Sequence, residues 1–306
     1  MKSINAITKL SLICLIILSY LSAMSQQSSN INEYNKNGKI KSIRTISYEA
    51  IQKFGEIQKG RRSNEFMKYD QQITIDYAKK KCIIKNLSSN DKLEFSFVME
   101  FDNKGNITKE TYYDSTSIQG TYQINKYDKV GNITESIVFN PNGSIFTKIT
   151  CKYKNGKKIS LDYYNSDGDL FKKNTFKYNS SGNLIELNDY NSDGSIFTQQ
   201  LFEYDNNNTL INMTSYKYPN NKNRISYASN DKWETKFYTR YNNKGLEIEN
   251  IIYNPDGTIS GEGSPLKNAK EYEYEYDQKG NWIKKIVYIK NGRALYIIER
   301  VIEYIN

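Results

Sequence analysis

The chain has 306 residues, no histidine, and 43 lysines and arginines against 34 aspartates and glutamates. The missing imidazole excludes Ser-His-Asp and Cys-His catalysis, histidine general bases and histidine-ligated zinc, so any chemistry here would run on carboxylates, Tyr, Lys or Ser. The basic excess is spread along the chain, densest at Lys79-Lys80-Lys81, and is not interleaved with aromatics as single-strand nucleic-acid binding requires. It reads as a solvated lysine-rich surface.

Residues 1–25 have the pattern of a secretory signal peptide. Lys2 and Lys9 precede and open onto the apolar run Leu10-Ser-Leu-Ile-Cys-Leu-Ile-Ile-Leu18, and Ala23 and Ser25 supply small residues before Gln26. The run is too short for a membrane anchor. Cys14 follows Leu12 and Ile13 rather than a small residue, so no lipoprotein anchor is expected. Cleavage would leave a mature chain with 41 basic and 34 acidic side chains, without a second apolar run long enough to span a bilayer. Its destination would be the periplasm or the outside. The mature chain keeps Cys82 and Cys151; an oxidising compartment permits a disulfide between them, whereas the alternation around Cys151 makes it a small buried apolar residue.

Residues 26–100 are irregular. Tyr34-Asn35-Lys36-Asn37-Gly38 has the composition of a hairpin turn, and the basic stretch from Tyr48 to Asn64 is compatible with a short helix or an irregular strand pair. This region is expected to cap the first strand of a more regular array beyond residue 100, since an open edge needs protection.

From residue 101 a repeat takes over. Phe101-Asp102, Tyr127-Asp128, Tyr153-Lys154, Tyr178-Asn179, Tyr204-Asp205, Tyr241-Asn242 and Tyr276-Asp277 recur at spacings of 26, 26, 25, 26, 37 and 35. A second anchor comes within most units, as at Tyr113-Asp114, Phe139-Asn140, Tyr164-Asn165 and Tyr190-Asn191. Asx opens each turn, proline at Pro141 or Pro255 pre-sets φ, and glycine takes the left-handed position that closes a bulged hairpin. Tyr127, Asp128 and Gly131 form one such set; Tyr178, Asn179 and Gly182 a second; Tyr276, Asp277 and Gly280 a third. Between turns the residues alternate: Tyr272, Tyr274 and Tyr276 oppose Glu271, Glu273 and Glu275. The reading is an all-β chain of tandem β-hairpins in a long antiparallel meander of about fourteen strands from residue 101, coiled or curled because so wide a sheet does not stay flat.

In these turns the chain resembles bacterial YD-repeat proteins of the RHS type. The matching residues are Tyr127-Asp128-Lys-Val-Gly131-Asn132, Tyr276-Asp277-Gln-Lys-Gly280-Asn281 and Tyr178-Asn179-Ser-Ser-Gly182-Asn183, and the likeness covers about residues 101–306. The resemblance implies a long antiparallel sheet. The large members enclose a C-terminal toxin; this chain is too short for that shell, so small exported members without a toxin domain are the expected relatives.

Asp189-Tyr-Asn191-Ser-Asp193-Gly194 imitates the first half of a calcium loop, but its twelfth position is Gln200, and the hairpin-turn reading explains it along with its equivalents. No catalytic, metal or cofactor-binding residue stands out. The expected function is a non-catalytic envelope or secreted protein that meets a protein or a polysaccharide. The alternative is a carboxylate-based glycan-acting enzyme with its site at the longer loops, 205–240 and 258–270.

Overall fold

The computed structural model describes residues 37–218 except 65, 66 and 68, and residues 235–305 except 245, 255, 260–268, 290 and 291. The signal peptide and the turn at 34–36 lie outside these residues, as do residues 219–234 and 260–268 of the two longer loops.

Every described element is a strand. The first five are β1 (Ile40–Lys53), β2 (Glu56–Arg62), β3 (Asp70–Asp76), β4 (Lys81–Leu87) and β5 (Leu93–Phe101). The region read as irregular thus supplies five strands, and Tyr48 to Arg62 is a strand pair. Beyond residue 101 come β6 (Ile107–Asp114), β7 (Gln119–Tyr127), β8 (Ile133–Phe139), β9 (Ile145–Lys154), β10 (Lys157–Tyr164), β11 (Leu170–Tyr178) and β12 (Leu184–Asn191). The series ends with β13 (Ile196–Tyr204), β14 (Leu210–Lys217), β15 (Thr235–Tyr241), β16 (Glu247–Tyr253), β17 (Ala269–Tyr276), β18 (Trp282–Ile289) and β19 (Ala294–Tyr304). Fourteen strands lie beyond residue 101, in a meander of antiparallel neighbours.

The sheet is closed, which is more specific than a coiled or curled ribbon. β1 pairs antiparallel with β19 along one edge, from Ile40 opposite Tyr304 to Glu49 opposite Tyr296. Along its other edge β1 pairs with β2 and, further down, with β3. Because β2 and β3 lie end to end beside β1, nineteen strands make a barrel of eighteen positions.

Register separates the two faces. Ile43, Ile73, Ile84, Phe97 and Tyr112 stand opposite one another in sequence across β1, β3, β4, β5 and β6. One residue along, the other face reads Arg44, Gln72, Lys85, Ser96 and Tyr113. The first face carries three apolar clusters: around Ile43, Cys82 and Met99; around Ile149, Tyr163 and Phe202; and around Tyr272, Val287 and Ile298. Cys82 and Val287 are 0% exposed and Tyr163 and Ile298 are 1%. Among the described residues nothing but the sheet itself exists to cover a face, so the buried face is the one that looks inward. A round, open barrel of this strand number leaves a water-filled channel; here each cluster is built along neighbouring strands of the wall.

The turns repeat one design. The Asp128 N–H donates to the Asn132 carbonyl and the Gly131 N–H to the Asp128 carbonyl, with Gly131 at φ 96°. The Asp128 carboxylate accepts the N–H groups of Val130 and Asn132. At three of these turns the preceding tyrosine pins the neighbouring turn. The Tyr127, Tyr153 and Tyr204 hydroxyls donate to the carbonyls of Ile107, Ile133 and Leu184, each 20 residues earlier.

A Cβ at position 131 would meet no atom within 4 Å, so Gly131→Ala tests conformation alone. It should lower unfolding free energy by about 1–2 kcal/mol in urea titrations. Tyr127→Phe, which removes one of the two side-chain donors to the Ile107 carbonyl and leaves Asn125, should cost about 1 kcal/mol.

Candidate functional site

The turn residues singled out from the sequence do not converge. Tyr127, Tyr178 and Tyr276 end β7, β11 and β17, strands that run in the same direction, so their turns sit at intervals around one rim. Asp128, Asn179 and Asp277 each accept the N–H of the residue four places on. These are folding devices distributed around a circle. In the calcium-like stretch the ligands also diverge: Asp193 accepts from Ser195 in the turn, whereas Asp189 accepts from Thr198 and Asn174 within the wall. Among the described residues no group of three or more acidic or cysteine side chains could hold a metal ion.

A concave site lies where the barrel closes. A cleft of about 580 Å³ opens on the outer face across β19, β1, β3, β4 and the turn into β5. The register puts Val301, Arg44, Gln72 and Lys85 in one row across four strands. Ile46, Leu87 and Leu93 supply apolar surface beside the row, and Asp91 and Glu303 stand at its margins.

The local cause is an unusual turn between β4 and β5. The Ser88 N–H donates to the Lys92 carbonyl and the Asp91 N–H to the Ser88 carbonyl, the pattern that ends in glycine at most tips and in Ser117 and Asn208 at two others. Asp91 therefore sits at φ 64°, a conformation that costs a non-glycine residue about 1–2 kcal/mol. Its carboxylate offsets that strain. Arg62 donates to both Asp91 oxygens at 2.6 and 3.0 Å, and Arg44 donates to Oδ1. Arg62 also reaches Asp70, whose other oxygen accepts the Ser47 N–H at 3.0 Å. Asp70 is 0% exposed, so this ion pair is completed by a main-chain donor from β1. The Arg62 hydrogen bonds hold the Asp91 carboxyl below the usual aspartate range, and Asp91 and Asp70 raise the Arg62 guanidinium.

The second margin carboxylate is equally committed. Glu303 accepts from the Ser42 hydroxyl at 2.8 Å and lies 3.6 Å from Lys41; these contacts lower its pKa. Both margin carboxylates are therefore engaged by cations or a hydroxyl. Among the described residues the carboxyl with a raised pKa is Glu110, which burial raises to about 7. It faces inward from β6 between Met99 and Gln123, beside a cavity of about 10 Å³ lined by Phe97, Thr121 and Val138. That is space for about one water. The carboxylates of the longer loops that the glycan-acting alternative needs fall largely among residues 219–234 and 260–268, outside the described residues.

Cys82 and Cys151 are free thiols in β4 and β9, and no disulfide joins them. Burial pushes the Cys82 thiol up to about 12 and raises Cys151 as well, so both are poor nucleophiles.

Sequence reasoning did not single out Arg44, Arg62, Lys85 or Asp91. One signal was present: Ser88-Ser-Asn-Asp91 spells the repeat turn with an aspartate at the glycine position.

No family model matches the sequence, and no curated protein matches it. Among solved structures, the chain is similar to a porin-like protein from Bacteroides uniformis ATCC 8492 at 12% identity and a TM-score of 0.39, covering 86% of this chain and 98% of that one. A porin-like protein from Bacteroides vulgatus ATCC 8482 gives 14% identity and a TM-score of 0.28, covering 87% and 98%. The Photorhabdus luminescens Tc holotoxin pore gives 11% and 0.27, covering 81% of this chain and 16% of that one. Likeness of this degree assigns neither activity nor membrane placement.

Two pH effects are expected. Glu110 has a raised folded pKa, so its contribution favours folding below 4.5 and is lost as pH rises toward about 7. Glu110→Gln should flatten the decline in melting temperature over that interval; an unchanged slope would assign the decline elsewhere. Asp91, Asp114 and Asp128 have lowered values, through hydrogen bonds from Arg62, Thr116 and Asn132 respectively. Their contribution is present above 3.8 and disappears as pH falls through the folded values, so acid titration should give a second, separate loss. In a thiol assay of the mature chain, native protein should be unreactive at neutral pH, and two thiols should appear on unfolding.

Proposed function

We propose that this chain is a non-catalytic β-barrel of the exported compartment that works immersed in water and binds its partner at the closure cleft. One observation carries the reading: cross-strand ion pairs run around the outer face. Lys81 meets Glu100, Lys126 and Lys148 share Glu135, and Lys152 meets Asp162. Lys177 meets Glu186, Arg240 meets Glu249, and Lys284 meets Glu275. These pairs occupy the face that a membrane barrel would turn to lipid, where each lysine or arginine near the midplane costs about 2–4 kcal/mol. The barrel shape alone would suggest a porin; its surface chemistry argues for water.

The binding role rests on a cleft with apolar surface and convergent polar groups. A catalytic role would need a carboxyl of raised pKa beside a second carboxylate, and the cleft pairs its two carboxylates with cations and a hydroxyl instead. Kinship with small YD-repeat proteins is part of the proposal and is supported by the turn chemistry of residues 101–306.

Liposome flotation tests the placement. Mature protein purified without detergent should remain with the soluble fraction, monodisperse and folded. Insertion that survives an alkaline carbonate wash would overturn the reading.

A further inference from the structure

The closure cleft has more cationic capacity than its own residues consume. Asp91 is shared by Arg44 and Arg62, and Glu303 is held by Ser42 and Lys41. Lys85 and Gln72 are left. They are neighbours across β3 and β4, both solvent-exposed, and neither has a side-chain partner among the described residues. Adjacent strands are about 4.8 Å apart, so an ammonium and a side-chain amide at this register can donate to the two oxygens of one carboxylate.

The surface flanking this pair is apolar. Val301 is 64% exposed on the β19 side of the row, and Ile46, Leu87 and Leu93 lie along it. An exposed aliphatic side chain beside an unneutralised cation suits an amphiphile better than a sugar, which would ask for a flat aromatic platform and paired acceptors. The lining residues offer no aromatic ring.

We propose that the closure cleft binds a soluble amphiphilic carboxylate of the medium-chain fatty-acid class. The head group accepts from the Lys85 ammonium and the Gln72 amide, and the alkyl body covers Val301, Leu87 and Leu93. Arg44 supplies long-range attraction while remaining committed to Asp91. This names the ligand class of the site on which the proposed function rests, and it can fail alone: a water-soluble barrel that ignores carboxylates refutes the ligand and leaves the flotation result untouched.

The experiment is calorimetric titration of the mature protein with sodium decanoate below its micelle concentration. Acetate and decanol serve as controls lacking the tail and the charge. Saturable one-to-one binding of decanoate is expected, with both controls much weaker. Lys85→Gln should weaken it about tenfold, the effect of losing one charge-assisted hydrogen bond. Lys85 has no ion pair to break, so this variant should melt like wild type. Val301→Asp should weaken binding further and serves as a second variant on an exposed position. Absence of saturable decanoate binding by folded wild type would overturn the proposal. So would equal binding of decanol, undiminished binding by Lys85→Gln, or preference for phosphatidylglycerol vesicles over free decanoate.

Discussion

The pairing of the first strand with the last is the interaction on which the molecule depends. A nineteen-strand meander left open would expose two rows of unpaired main-chain groups, which are templates for aggregation. β1 removes both edges. It spans ten residues of register against β19 and receives β2 and β3 on its other side. Closure also defines an inside, and with it the difference between a face that buries Val287, Ile298 and Tyr163 and a face that carries Lys126, Glu135 and Lys148.

Beside the closure, the regular turn pattern is altered and serves more than turning. At the β4–β5 tip an aspartate replaces glycine, and its carboxylate joins Arg44 of β1 to Arg62 of β2. Asp70, at the start of β3, holds Arg62 from beneath and accepts a β1 N–H. Three strands and a turn are thereby fixed by charges, at the point where the chain detours between β2 and β3. The cleft above is bounded by this cluster, so the device that locks the seam also sets which donors remain open beside it.

Barrel shape and barrel environment are separate matters. An apolar outer band places a barrel in lipid; a charged one places it in water. Here alternating Lys and Glu on neighbouring strands neutralise one another at the surface, each pair worth little alone. They are the basis of the proposed placement in water. The inner face meanwhile mixes aliphatic clusters with satisfied polar groups, such as Asn125, which accepts from Gln123 and Ser136 and donates to the Ile107 carbonyl.

Beyond residue 101 the amino-acid sequence by itself determined the strands, the turns and the antiparallel meander, because those are decided within a few residues. Asp128, Gly131 and Asn132 bond to one another whatever the rest of the chain does, and alternation such as Glu271-Tyr272-Glu273-Tyr274 declares two faces locally. It did not reveal that residues 40–62 hold the strand that closes the sheet, because β1 finds its partners far away, Ile43 opposite Ile302 and Ile73. Nor did it reveal the cleft. Arg44 and Asp91 are 47 residues apart, and Ser42 and Glu303 are 261 apart. Only closure brings them together, since a repeat records the local step from strand to strand and carries no mark of where the circle ends.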